Sequence, residues 1–328
     1  MKKKWLLFLL GILAVVTLLI VSDLEKVWSG IVGIGLKNII ALCCMQLFTM
    51  LLINIQWTSI SRYAGVKSSF KKIVDINLTG TFVESVTPAV KAGGELTKVI
   101  MFSNTYHITK GSATAIVSIQ KVVSITAFLL LNIISLVMFI VSYSDTIHFS
   151  VVVFSFVFIL IMTLLLIMTV FYNEKIKCLI LKAPFIKNKE KVKEFFNHFN
   201  ETIKKVMERK AFFIRQLLLS TLIWSFFPIK AYYIVLVMGI NLHFITMAMI
   251  TYITYMIGML PLLPGGLGTF EGSLIMLLAP FSVAMDQGMV IAFVLRFVTF
   301  WFVFTTSAIY LGCKFIYKNI FKGNLQCN

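Results

Sequence analysis

The sequence predicts an all-α polytopic membrane protein: about six full transmembrane helices plus two broken re-entrant hairpins, arranged as an inverted repeat. Three observations carry this expectation. Of 328 residues, 59% are hydrophobic and only 13% charged, against roughly 25% charged in an ordinary soluble domain. The cations behind a formal net charge of +17 gather in short loops beside apolar runs, as the positive-inside rule expects. Finally, Pro261-Leu-Leu-Pro-Gly-Gly-Leu-Gly-Thr-Phe-Glu271 separates two apolar stretches, Ile245–Leu260 and Ser273–Val283. Each is short of the about 20 residues that cross a bilayer.

Taken in order, Met1-Lys-Lys-Lys4 leads into Trp5–Val21, a first crossing. No small-x-small cleavage site follows, so it reads as a retained helix with a cytoplasmic N-terminus. Ile39–Ile55 is a second crossing, followed by Arg62, Lys67, Lys71 and Lys72, which place its end inside. Ile73–Val90 carries Asp75, Asn77, Glu84 and Pro88, and Lys91-Ala-Gly-Gly-Glu95 follows. That is poor material for a lipid-facing span, and it reads as a partly inserted segment returning to the cytoplasmic side. Ile116–Val141 and Val151–Phe171 cross out and back. Asn173–Lys210 is basic and cytoplasmic; its Phe195, Phe199, Ile203 and Val206 fall on one helical face, read as a solvated amphipathic helix. Phe212–Met238 crosses again, interrupted by Pro228 and Lys230, with Lys230 expected to line a cavity or lie near an unwound turn. The second break then dips in, and Met289–Cys313 is the last crossing before Lys314, Lys318 and Lys322. Both termini are thus cytoplasmic. The whole of 1–328 reads as a single integral membrane domain, with repeat halves at about 31–172 and 212–313 and a cytoplasmic loop at 173–211.

The repeat rests on landmarks. Gly65, Phe70, Pro88, Glu95 and Lys121 are matched by Gly239, Phe244, Pro261, Glu271 and Arg296, at separations of 174, 174, 173, 176 and 175 residues. Three expected crossings lie between the two glycines, and an odd number inverts one half against the other. In transporters, paired broken segments of this kind form a substrate site near the midplane.

Candidate site residues follow from cost. A lone charge in an apolar helix is expensive, so Lys121 and Arg296 either pair with Glu95 and Glu271 or hold a lipid phosphate, and the two roles are compatible. The breaks themselves, Pro88, Gly93 and Gly94 in one half and Pro261, Pro264, Gly265, Gly266 and Gly268 in the other, either permit the turns or offer backbone N–H groups to an anion. No P-loop ending is present. Five cysteines and four histidines show no metal-ligand spacing, so neither metal nor cofactor is expected. The basic residues lack an aromatic-interleaved basic domain, which points to anionic lipid rather than nucleic acid.

Thr87-Pro-Ala-Val-Lys-Ala-Gly-Gly-Glu95 with Lys98, Pro264-Gly-Gly-Leu-Gly-Thr-Phe-Glu271 and Leu295-Arg-Phe-Val-Thr-Phe-Trp301 resemble one family. It is the lysylphosphatidylglycerol synthase transmembrane region, or flippase-like domain family, the membrane half of the multiple peptide resistance factor. The similarity covers roughly residues 5–320. Lys98 and Lys121 stand where the family often has arginine, a departure that weakens bidentate phosphate binding in the first half. The resemblance implies translocation of an anionic or aminoacylated phospholipid, such as lysyl-phosphatidylglycerol, across the bacterial cytoplasmic membrane. Membrane phospholipids would be its partners. The alternative it implies is a lysyl-tRNA-dependent phosphatidylglycerol lysyltransferase, or that enzyme's non-catalytic membrane subunit acting with a separate lipid-modifying chain. The soluble aminoacyltransferase domain of the two-domain proteins is not found before Asn328.

Overall fold

A computed structural model describes residues 24–87, 92–143, 149–171, 173–182, 189–260 and 266–323. Those residues are mostly helical, with no strand among them. Short α1 (Leu24–Ile34) ends at Gly35, whose φ of 76° lets the chain turn directly into α2 (Leu36–Tyr63). Then come α3 (Phe70–Val86), α4 (Ala92–Tyr106), α5 (Lys110–Tyr143), α6 (Phe149–Phe171), α7 (Asn173–Lys182) and α8 (Lys189–Met207). The chain continues through α9 (Lys210–Val237), α10 (Phe244–Gly258), α11 (Thr269–Leu278), α12 (Met285–Arg296), a π-helical turn at Phe297–Trp301, and α13 (Phe302–Gly323).

Among the described residues, four helical stretches are long and apolar enough to cross a bilayer: α2, α5, α9 and the α12–α13 run. The protein is an all-α membrane protein. Helix α6 is 23 residues long, and the expected first crossing, Trp5–Val21, lies outside the described residues. The segments flanking each break are shorter. Helices α3 and α4 have 17 and 15 residues, α10 and α11 have 15 and 10. At 1.5 Å per residue none exceeds about 26 Å, which suits hairpins that enter the bilayer and turn back.

The helix starts repeat. Leu36, Phe70 and Lys110 begin α2, α3 and α5; Lys210, Phe244 and Met285 begin α9, α10 and α12. These starts lie 174, 174 and 175 residues apart, the spacing of the sequence landmarks. Backbone geometry repeats too. Gly65 and Gly239 both have positive φ, 91° and 68°, each closing the helix before its hairpin. Among the described residues the two non-glycine residues with positive φ are His107 (52°) and Ser282 (58°), again 175 apart.

Packing gives the relative orientation of the two halves. Helices α2 and α9 lie side by side along a buried polar seam. Tyr233 donates to Asn38 (2.7 Å), Lys230 to Gln46, Gln56 to Ser220 (2.6 Å) and Gln216 to Ser59 (2.8 Å), while Tyr63 stacks on Phe212. Numbers rise along one helix as they fall along the other, so these repeat counterparts run antiparallel. Gln46–Lys230 and Gln56–Ser220 exchange under the 174-residue offset, as a two-fold axis through the seam requires. Other contacts cross over in the same way. In α3, Asp75 pairs with Lys314 and Phe82 stacks on Phe304, both of α13, while α10 packs on α5. Helix α1 leans on α12 and α8 on α5.

Two expectations are corrected. Lys230 sits in no unwound turn: α9 runs unbroken through Pro228, and Lys230 is fully buried. Its ammonium reaches Gln46 Oε1 and Thr49 Oγ1, above the Phe227 ring. Helix α8 is not freely solvated. Phe199, Ile203 and Val206 are buried in a core shared with Ile116, Ile119 and Val123 of α5.

Candidate functional site

Each hairpin places a carboxylate in the first turn of its second helix, Glu95 in α4 and Glu271 in α11. Unpaired N–H groups and the macrodipole favour an anion there. Each carboxylate meets a cation from the following long helix, Lys121 of α5 or Arg296 at the end of α12. Pro88, Pro261, Pro264 and Gly265 lie outside the described residues.

In the first half, Glu95 Oε1 lies 3.1 Å from Lys121 Nζ and 3.4 Å from Lys98 Nζ. Lys98 is held by its surroundings. Its stem lies against Gly80, where a Cβ would come within 2.6 Å of Lys98 Cγ, and its ammonium sits over the Trp57 ring at 5.2 Å. Gly94 packs so tightly on α3 that a Cβ would come within 2.7 Å of the Gly80 carbonyl oxygen; Gly93 packs against Thr87. Glu95 Oε2 is buried and has no hydrogen-bond partner among the described residues. Lys98 enters the site although its residue type singled it out only within the resembling motif. The available signal was its i,i+3 spacing from Glu95 on one helix.

The second half is closed. Glu271 has a 2% exposed side chain. Its Oε2 accepts the Gly268 N–H at 2.8 Å, and its Oε1 lies 3.3 Å from Arg296 Nε, an ion pair outside hydrogen-bond alignment. The Arg296 guanidinium sits 5.3 Å from the Phe270 ring and 5.4 Å from Phe300. Arg296 immediately precedes the π-helical turn, whereas Lys121 lies in regular helix. Gly266, with φ of 66°, packs onto the Gly258 carbonyl. The expectation of glycine N–H groups free to hold an anion does not hold for Gly268, whose N–H is taken by Glu271.

The two sites therefore differ in charge and access. The first sets two ammonium groups against one carboxylate, with Lys121 30% and Glu95 20% exposed. The second sets one guanidinium against one carboxylate in a sealed, aromatic-walled pocket. An excess cation that can be reached, beside a carboxylate oxygen with spare acceptor capacity, is equipped to exchange ion pairs with a charged ligand. The sealed pair is equipped to hold helices together.

The family model described as the lysylphosphatidylglycerol synthase TM region matches residues 8–306. The chain is similar to a UPF0104 membrane protein of Pyrococcus horikoshii, 25% identical over 91% of this chain and 93% of that protein. It is similar also to UPF0104 membrane proteins of Methanothermobacter thermautotrophicus, 20% identical over 92% of both chains, and of Methanocaldococcus jannaschii, 21% identical over 91% of both. These three relatives are archaeal. A match running through both hairpins and both ion-pair sites makes this chain a multi-pass membrane protein of the lysylphosphatidylglycerol synthase transmembrane-region family, a family tied by that description to membrane lipid.

Proposed function

We propose that the protein moves an anionic or aminoacylated phospholipid, such as lysyl-phosphatidylglycerol, between the leaflets of a cytoplasmic membrane, with both of its termini on the cytoplasmic side. The observation that carries this reading is the recurrence of a carboxylate–cation pair at matching breaks of two antiparallel halves, the arrangement that builds midplane sites in transporters. Lys98 and Lys121 would take the headgroup phosphate as point charges. Glu95, released from them, would meet the ammonium of an aminoacyl group. Glu271 and Arg296 would line the path from the other half, more as a fixed closure than as a binding site.

The test is headgroup accessibility in liposomes containing purified protein, with fluorescent phosphatidylglycerol and its lysyl derivative. Dye in the inner leaflet becomes quenchable from outside with wild type. It becomes so about tenfold more slowly with Glu95→Gln or Lys121→Gln, the loss of roughly one charge-assisted contact. Glu271→Gln and Arg296→Gln slow it as well. Wild-type traces that match empty liposomes for both lipids would remove the reading. The family's description favours a second one, lipid synthesis. Purified protein given phosphatidylglycerol and lysyl-tRNA would then make lysyl-phosphatidylglycerol without any other chain.

A further inference from the structure

A second cationic feature lies away from both hairpins, where the C-terminal end of α2 crosses the start of α9. A cleft of about 520 Å³ opens there. Arg62 stands on its α2 side and Arg215 on its α9 side, with the Thr58 and Ser59 hydroxyls between them and Ile55, Phe70 and Phe212 as apolar walls. No carboxylate lines it, and neither arginine is in an ion pair among the described residues. Arg62 Nε donates to the Ser68 carbonyl at 3.0 Å, and Arg215 lies against the Phe212 ring at 5.5 Å. Each guanidinium carries five N–H donors, so most remain available. Two uncompensated forks facing one cleft are matched in charge and geometry to a phosphodiester.

The flank below this charge is apolar. Ile55 and Leu51 on α2, and Leu218 and Leu222 on α9, are exposed. On α9 they lie one and two helical turns from Arg215, and on α2 two and three turns from Arg62, at spacings of 3, 7, 7 and 11 residues that keep them on one face of each helix. A ligand with one anionic group and long apolar chains fits both parts at once.

The repeat supplies an internal control. The two-fold operation carries Arg62 to Leu236 and Arg215 to Ala41, each 174 residues away. At that opposite end Tyr233 bonds Asn38 and Tyr232 packs edge-on against Phe244; both mirror positions are uncharged, and the cation there, Lys37, stands one turn before Ala41. The same helix crossing is thus built at its other end with an aliphatic residue at each mirror position, so the fold itself does not require Arg62 and Arg215. Lys67, Lys71 and Lys72 follow Arg62 in the chain, and Arg209 and Lys210 precede Arg215. That end therefore faces the cytoplasm by the positive-inside rule.

We infer that the Arg62–Arg215 cleft is a docking site for the phosphodiester headgroup of an anionic glycerophospholipid from the cytoplasmic leaflet, with its acyl chains along Leu51, Ile55, Leu218 and Leu222. This deepens the translocation reading by naming where such a lipid is first held. Binding is measured without transport, so either claim can fail alone.

The experiment is native mass spectrometry of the purified full chain released from micelles doped with phosphatidylglycerol or phosphatidylcholine. Wild type retains phosphatidylglycerol in preference to phosphatidylcholine. The double variant Arg62→Gln/Arg215→Gln retains it about tenfold less, and Arg62→Lys/Arg215→Lys, which keeps charge but loses the forks, falls between. Leu236→Gln at the mirror position leaves retention unchanged. Glycerol phosphate in excess does not displace the lipid; displacement would reassign the cleft to a free anion. Equal retention of phosphatidylglycerol by wild type and both double variants, or no preference over phosphatidylcholine, overturns the proposal. Should retention persist in the lipid-docking assay while liposome transport is nil, the docking site stands and the translocation reading falls.

Discussion

Lys230 pairs with amide and hydroxyl oxygens and an aromatic face rather than with a carboxylate, so its burial in the seam between α2 and α9 depends on Gln46. Removing that acceptor leaves a buried ammonium short of a partner, which costs about 1–3 kcal/mol and more for a charged group. Gln46→Leu is therefore expected to lower thermal stability in detergent more than Gln46→Leu combined with Lys230→Met, with a coupling of about 1–3 kcal/mol. Strict additivity of the two changes would show that Gln46 does not hold the ammonium. Glycines offer a second contrast. Gly266 combines a φ of 66° with a Cβ position 2.7 Å from the Gly258 carbonyl oxygen, while Gly272 in α11 has nothing within 4 Å. Gly266→Ala should cost well over 1 kcal/mol, and Gly272→Ala should be neutral or stabilise by about 0.4–1 kcal/mol; similar melting shifts for both would contradict the backbone argument. The sequence made Glu95, Lys121, Glu271 and Arg296 legible because isolated charges in apolar helices demand partners. It did not make Lys230 legible, since an amide and a hydroxyl that satisfy a cation from 184 and 181 positions away carry no local signature.

Helix α8 shows what periodicity tells and what it omits. The spacing of Phe195, Phe199, Ile203 and Val206 marks an amphipathic helix correctly, but lipid, water and protein are indistinguishable to a helical wheel. The face is covered by α5, where a Cβ on Gly111 would run into the Phe195 carbonyl. Consequently, deleting the cytoplasmic loop does not separate a partner-anchoring role from translocation, because the deletion uncovers the first-half core. Point changes do separate them. Ile203→Asp buries a carboxylate and loses an apolar side chain, an expected cost of at least about 3 kcal/mol. Lys193→Glu with Lys204→Glu, on the exposed face, should stay within about 0.5 kcal/mol of wild type. If the charge reversals abolish lipid movement while leaving the melting temperature intact, α8 serves a partner rather than the bundle.

At the scale of the molecule, the inverted repeat was visible in five landmarks, yet its best evidence lies in backbone geometry that residue identity conceals. His107 and Ser282 share nothing chemically, but both hold positive φ at the exit of a hairpin. A turn constrains the chain's path more tightly than its side chain. The crossing of α2 with α9 was likewise unreadable, because helix pairing depends on complementary surfaces far apart in sequence. The two residues now make the sharpest topological test. If the halves are inverted, the first hairpin enters and leaves on the cytoplasmic side and the second on the opposite side. His107 and Ser282 are both exposed. With Cys43, Cys44, Cys178, Cys313 and Cys327 replaced by serine, His107→Cys and Ser282→Cys should react with an impermeant maleimide from opposite faces of oriented membrane vesicles. His107→Cys should label only in inside-out vesicles and Ser282→Cys only in right-side-out ones. Labelling of both from one face would mean the hairpins enter from the same side. The antiparallel seam would then relate the helices without inverting the path through them, and a lipid path lined by the two breaks from opposite faces would have no structural basis.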